Sequence, residues 1–257
     1  LILTSGGFIF LIMAAFAFTV AIIFRQKRIS EIKNDFINNM THELKTPVST
    51  ISLACEALSD PDMQRSGMDM DRYVGMIREE NKRLGSLVEN VLRSAAVDKG
   101  TLELNKSEED MHSLIQDTLD RFDLRFRESQ AETSTDLHAA HTMALVDVAH
   151  MRNVISNLID NALKYCEGTP YIHIETLNER NRFILKVTDR GVGIKKEDQK
   201  RVFDTLYRVP KGNTHDVKGF GLGLSYVKSI VEKQGGIVSV ESEWMKGSTF
   251  KIDLPYA

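Results

Sequence analysis

The sequence predicts an α plus α/β chain in three parts. These are an N-terminal transmembrane helix over residues 1–24, a helical hairpin over 25–98 that forms a dimeric four-helix bundle, and a C-terminal α/β sandwich domain over 99–257. Three observations predict it. No charged residue occurs from Leu1 to Phe24, and a helix needs about 20 apolar residues to cross a bilayer. From Ile29 to Val97 apolar residues recur every three or four positions, the helical period. Beyond Asp98 the period changes, and helix-like and strand-like stretches mix.

Arg25, Lys27 and Arg28 follow the apolar run directly, and a basic cluster marks the cytoplasmic side of a membrane helix. A secretory signal would need a charged start, a shorter apolar core and a cleavage site. The chain starts with Leu rather than Met, so a longer protein with an upstream part across the membrane is expected. Charged residues make up 27% and the net charge is −3, which gives no basic field for nucleic acid. Cys55 and Cys166 lie far apart in apolar helical settings; each is expected to be a buried free thiol, with no disulfide or zinc framework. His138 and His141 have no partner cluster and are not expected to bind metal.

Ile29, Ile32, Phe36, Met40, Leu44, Val48, Ile51, Cys55 and Leu58 form one stripe. Asp60, Pro61 and Gly67 end this helix, and Tyr73, Ile77, Leu84, Leu87 and Val91 mark its return over Asp71–Val97. Each stripe is too wide for one partner, so two hairpins are expected to associate. Within the first helix stands F-I-N-N-M-T-H-E-L-K-T-P, residues 36–47. His42 and Thr46 share a face, Glu43 adjoins them, and Pro47 removes a helical donor and is expected to kink the helix. A lone helical histidine is by default a solvated side chain. An imidazole, a carboxylate and a hydroxyl within one turn beside a hinge instead suggest a nucleophile that takes a phosphoryl group.

In the last part, a helix near Asp110–Arg127 precedes strands near Glu132–Leu137 and Thr142–Val146. Helix Val148–Tyr165, strands Tyr171–Thr176 and Arg182–Thr188, helix Leu222–Gln234 and strands Ile237–Glu241 and Ser248–Leu254 follow. Helices are expected on one face of a mixed sheet. Three segments here carry chemistry. In D-R-G-V-G-I, residues 189–194, a carboxylate ends a strand and glycines allow close approach. G-F-G-L-G-L-S, residues 219–225, leads into a helix and is read as a mobile phosphate lid. It matches neither the dinucleotide fingerprint nor the P-loop. Asn153, Asn157 and Asn161 fall on one helical face with Asp160 and Lys164 nearby. Amide oxygens there suit a magnesium ion that bridges phosphates, and a solvated polar face is the alternative.

With these motifs in this order, the chain resembles the cytoplasmic half of bacterial sensor histidine kinases of two-component systems. Residues 36–47 resemble the H box and N-L-I-D-N-A-L-K-Y the N box. D-R-G-V-G-I resembles the G1 box, V-F-D-T-L-Y-R the F box, G-F-G-L-G-L-S the G2 box, and G-S-T-F the last glycine motif. The likeness covers residues 30–257. It implies a dimerisation and phosphoacceptor hairpin followed by a gyrase- and chaperone-type ATP-binding domain. His42 would accept the phosphoryl group, Glu43 would take or orient the imidazole proton, and Thr46 would place water for dephosphorylating the partner.

For the nucleotide, the resemblance implies ATP with Mg2+. Asn161 would ligate the metal with Asn157 beside it, Lys164 would reach phosphates, and Tyr165 would pack near the nucleoside. Asp189 would accept from the adenine amino group, with Gly191, Gly193 and Ile194 around it. Tyr207 and Arg208 would line the phosphate side. Gly219, Phe220, Gly221, Leu222, Gly223 and Leu224 would form the lid, and Thr249 belongs to the last motif. The chain departs from the pattern at Leu206, where a second aromatic is common, and at Phe220, often small or polar.

A response regulator acting in trans, a homodimer and a bacterial inner membrane with the catalytic part in the cytoplasm are the implied partners and place. Only 18 residues separate Phe24 from His42, roughly 27 Å of helix, too few for the relay module many relatives insert. The rival readings are a clamp-type ATPase of the same nucleotide fold and a catalytically silent membrane scaffold. The first should lack the H-E-L-K-T-P hairpin, and the second should have lost His42, Asn161 or Asp189.

Overall fold

The computed structural model describes residues 2–60, 70–98, 102–209 and 221–257. One helix, α1, runs from Ile2 to Ser59 with Pro47 inside it. It continues unbroken from the apolar run through His42, so the expected membrane and hairpin segments are parts of one rod. Its first part is long and apolar enough to cross a membrane. There Phe10, Phe16 and Phe24 stand about 70% exposed, and nothing among the described residues covers them. Pro61 and Gly67, expected to break the hairpin, lie outside the described residues.

Helix α2, Met70–Asp98, returns against α1. The seam on α1 is formed by Pro47 and Ala54, both buried, with Ile51 and Leu58 half-buried. Ile37, Val48, Leu53, Val74, Val88 and Leu92 remain exposed. The expectation of a buried Cys55 is corrected: the thiol is exposed, because one residue past Ala54 is about 100° around the helix from the seam. Cys166 is half-exposed rather than buried, and both thiols are free.

The C-terminal domain builds a mixed five-stranded sheet. Its strands are β2 (Glu132–Leu137), β4 (Tyr171–Glu179), β5 (Arg182–Asp189), β6 (Ile237–Glu243) and β7 (Gly247–Pro255), in the order β2-β4-β5-β7-β6. Only β2 and β4 run parallel. Strand β4 alternates strictly, with Ile172, Ile174 and Thr176 buried toward the helices and His173 and Glu175 half-exposed on the other face. Helices α3 (Met111–Glu128), α4 (Val148–Lys164) and α5 (Gly223–Lys233) cover that one face. A two-stranded ribbon, β1 (Ser107–Asp110) with β3 (Met143–Val146), closes the flank. Strand β1 is S-E-E-D, polar throughout, and pattern alone does not mark it as a strand.

Two helix starts have a local cause. Asp110 caps α3 by accepting from His112 N–H, and Asp147 caps α4 by accepting from His150 N–H. Asp147 also accepts from Asn105 N–H at 2.9 Å, which pins the polar linker to the domain. The linker is tied to α5 as well: Lys106 Nζ donates to Lys233 C=O at 2.8 Å.

Candidate functional site

Helix α4 buries Met151, Val154, Ile155, Leu158, Ile159 and Ala162 in the core. That arrangement turns Asn153, Asn157 and Asn161 onto a half-buried face, as their spacing of four requires. Asn157 Nδ2 donates to Asn153 C=O at 2.8 Å, and its Oδ1 lies against Gly223, where a side chain would collide with it. Asn157 therefore locks the start of α5 to α4. Among the described residues no hydrogen bond engages the Asn161 carboxamide, which leaves a neutral oxygen donor facing the site.

Across the sheet end, Asp189 Oδ1 accepts from Gly191 N–H at 2.8 Å and from Ser248 N–H at 3.2 Å. Among the described residues no hydrogen bond engages its second oxygen. Burial raises the Asp189 pKa, and the two backbone donors oppose the rise. Gly191 sits so close that a Cβ would overlap the Tyr165 carbonyl, which itself accepts from Val192 N–H at 3.0 Å. Gly193 has φ +64, and Ile194 N–H donates to Ser242 Oγ at 2.7 Å. Thr249 Oγ1 pairs with Thr188 Oγ1 at 3.0 Å across β7 and β5, which braces the strand ends that carry Ser248 and Asp189.

Two loops complete the site. Gly221 has φ +70, and its carbonyl accepts from Leu206 N–H at 3.1 Å. Leu206 itself has φ +65, a left-handed conformation costly for a branched side chain. Leu222 is buried; Gly223 and Leu224 are half-buried. Gly219 and Phe220 lie outside the described residues. Tyr207 is the residue expected on the phosphate side. It is buried, donates its hydroxyl to Asp198 Oδ1 at 2.5 Å, and lies under the Arg201 guanidinium at 4.0 Å. Burial first, then Asp198, pushes its pKa up to about 12. Tyr207 fastens the loop.

Lys164 collects the electrostatics of the site. Burial lowers its pKa from 10.5 to about 8; Arg208 acts in the same direction, while Glu43 and Asp160 pull upward. Asp160 is paired with Arg125 of α3. Helix α2 touches α5. Tyr165, next in the chain, has its hydroxyl pKa raised by burial.

Two family models match the chain. Residues 32–100 match the His Kinase A (phospho-acceptor) domain, and residues 146–257 match the histidine kinase-, DNA gyrase B- and HSP90-like ATPase. Sensor protein RprX of Bacteroides fragilis is 44% identical over 250 residues, covering 96% of this chain and 48% of RprX. The chain belongs to the bacterial sensor histidine kinases. It spans about half the length of the curated relatives it matches. Two solved structures are alike in fold. Acinetobacter baumannii histidine kinase AdeS has TM-score 0.61 and 23% identity, over 83% of this chain and 97% of AdeS. Histidine kinase ThkA in complex with response regulator protein TrrA has TM-score 0.62 and 20% identity, over 91% of this chain and 64% of ThkA.

In this histidine kinase His42 is exposed on α1. Thr46 Oγ1 points back to the His42 carbonyl at 3.4 Å, and Pro47 is buried in the seam. Glu43 does not face the imidazole. Its Oε2 lies 3.3 Å from Arg83 Nη2 of α2. Motif reading passes over Arg83 and Asp198, because each acts through a partner outside its own motif, Glu43 and Tyr207. For Arg83 a signal exists. Positions 43 and 83 mirror each other about residue 63, which falls between the two helical stretches in the sequence, and carry opposite charges.

Proposed function

We propose that this chain autophosphorylates His42 with ATP and Mg2+ and passes the phosphoryl group to an aspartate of a separate response regulator. The carrying observation is the joint placement of a ligand-ready Asp189 carboxylate, the Asn161 and Lys164 face, and the His42 segment in one chain. Asp189 Oδ2 accepts the adenine amino proton, with Gly191 permitting the close approach. Lys164 and Arg208 take the phosphates. The donor set fits a magnesium ion: Asn161 offers a neutral oxygen of the kind that shares a hydrated ion with phosphates. When bound, that ion neutralises phosphate charge.

One imidazole nitrogen of His42 attacks the γ-phosphorus, the N–P bond forms, and the P–O bond to ADP breaks. The proton on the other ring nitrogen passes to Glu43. Thr46, one turn on, orients water for removing the phosphoryl group from the regulator. The ThkA complex supports a partner of that kind, and full-length ShkA has been solved with AMPPNP, an adenine nucleotide.

The exposed apolar hairpin positions support a homodimer, and the exposed apolar start of α1 supports anchoring of residues 1–24 in the bacterial inner membrane, with the catalytic part in the cytoplasm. The test is incubation with γ-labelled ATP and magnesium. Label stable to base, lost in acid and absent in His42→Gln is expected; label that persists in His42→Gln refutes the reading.

A further inference from the structure

An ion pair crosses the hairpin next to His42. Glu43 and Arg83 face each other with side chains only 17% and 31% exposed. Arg83 Nη1 also lies 3.8 Å from Glu80 Oε2, a buried oxygen without a hydrogen bond among the described residues. One guanidinium therefore stands between two carboxylates. His42, one residue before Glu43, is exposed, because consecutive helical positions point about 100° apart. The carboxylate that would take the imidazole proton is thus turned into the seam and held there.

We propose that Arg83 is a positioning residue that restrains Glu43, so that release of this carboxylate from the pair limits phosphoryl transfer to His42. The proposal rests on the reading of His42 as phosphoacceptor. While Glu43 stays on Arg83, the ring proton has no adjacent acceptor as the N–P bond forms. Once the pair opens, the carboxylate can turn toward the ring. Glu80 weakens the restraint by drawing on the same guanidinium.

The experiment measures autophosphorylation of the full chain with γ-labelled ATP for Arg83→Met, Arg83→Lys and Glu80→Gln, each with Glu43 intact and with Glu43→Gln. Arg83→Met is expected to raise kcat about two- to five-fold, the range of a partly exposed ion pair, with KM for ATP unchanged. Arg83→Lys stays close to wild type. Glu80→Gln lowers kcat, a direction that does not follow from losing a restraint. In the Glu43→Gln background none of the three changes the residual rate. An Arg83→Met chain that slows, keeps its rate, or changes equally without Glu43 overturns the proposal. Should Arg83→Met lose helicity, Glu80→Gln decides, and a rate at or above wild type overturns it. A wild-type chain that takes no label on His42 overturns the phosphoacceptor reading as well, so the two failures are distinguishable.

Discussion

The substitution Asp189→Asn tests the nucleotide pocket at its most specific point. In the wild type Oδ1 already holds Gly191 N–H and Ser248 N–H, so the introduced carboxamide keeps its oxygen there and turns its NH2 toward the ligand. The exocyclic amino group of adenine then meets a donor instead of an acceptor. Losing a hydrogen bond to an ionised carboxylate costs about 1.5–3 kcal/mol, roughly a 10- to 150-fold weaker Kd. Inosine triphosphate, with a carbonyl oxygen at that position, should bind the variant better than ATP does. Trp244, the chain's single tryptophan, provides the assay. It lies in the turn whose Met245 N–H donates to Val192 C=O at 2.8 Å, directly behind Gly191 and Gly193, so its fluorescence should follow nucleotide binding. An ATP affinity within two-fold of wild type, with no gain of inosine triphosphate over ATP, would refute the assignment of Asp189 as the adenine reader.

Five further outcomes are expected. Because Lys164 titrates at about 8, ATP affinity should fall as pH rises through that value, and Lys164→Arg should remove the dependence in a binding titration. The same shift makes the unfolded chain bind more protons between about 8 and 10.5, so stability rises with pH over that window; Lys164→Met should flatten that part of a urea-midpoint profile. Gly193→Ala places a Cβ against the Glu243 carbonyl at φ +64 and should destabilise the domain by about 2–4 kcal/mol. Gly85→Ala, with open space on α2, should stabilise by about 0.5–1 kcal/mol, both read by urea melts. Inserting one to four residues near Lys27 should change kinase output with a helical phase, since α1 is continuous from Ile2 to Ser59 and the stretch from Phe24 to His42 makes about five turns; an output indifferent to insert length would rule out transmission along the rod.

How legible the molecule is in its sequence depends on the range of each interaction. The strand Tyr171–Glu179 announces itself by local alternation, Arg182–Asp189 by the apolar run Phe183-Ile184-Leu185, and α4 by its three-four apolar spacing. The polar strand β1 exists only because β3 offers it a ladder, Ser107 opposite Val146 and Asp110 opposite Met143, a pairing that no local pattern contains. The same distinction divides the site. The Asp189, Gly191 and Gly193 turn and the asparagine face are contiguous motifs, whereas Tyr207 shows its role only through Asp198. Cys55 escapes the expectation because an apolar stripe does not say which of its positions meets the first partner. The seam follows Ala54, and the next position is turned away.

The charge state of Lys164 bears on the choice between a working kinase and a silent scaffold. Burial and Arg208 act against its charge more strongly than Glu43 and Asp160 support it. Asp160 is already paired with Arg125, and Glu43 with Arg83. A chain needing only a dimerising hairpin gains nothing from holding an ammonium group in surroundings that discharge it, since the lowered pKa is itself a cost to folding at neutral pH. An anionic ligand changes the sign of that balance: phosphate oxygens beside Lys164 and Arg208 replace mutual repulsion with two attractions and draw the lysine pKa upward again. Binding should therefore be accompanied by proton uptake near pH 8, measurable as a buffer-dependent heat in calorimetry. If ATP binds there with heats that do not depend on the buffer, Lys164 is not the phosphate contact.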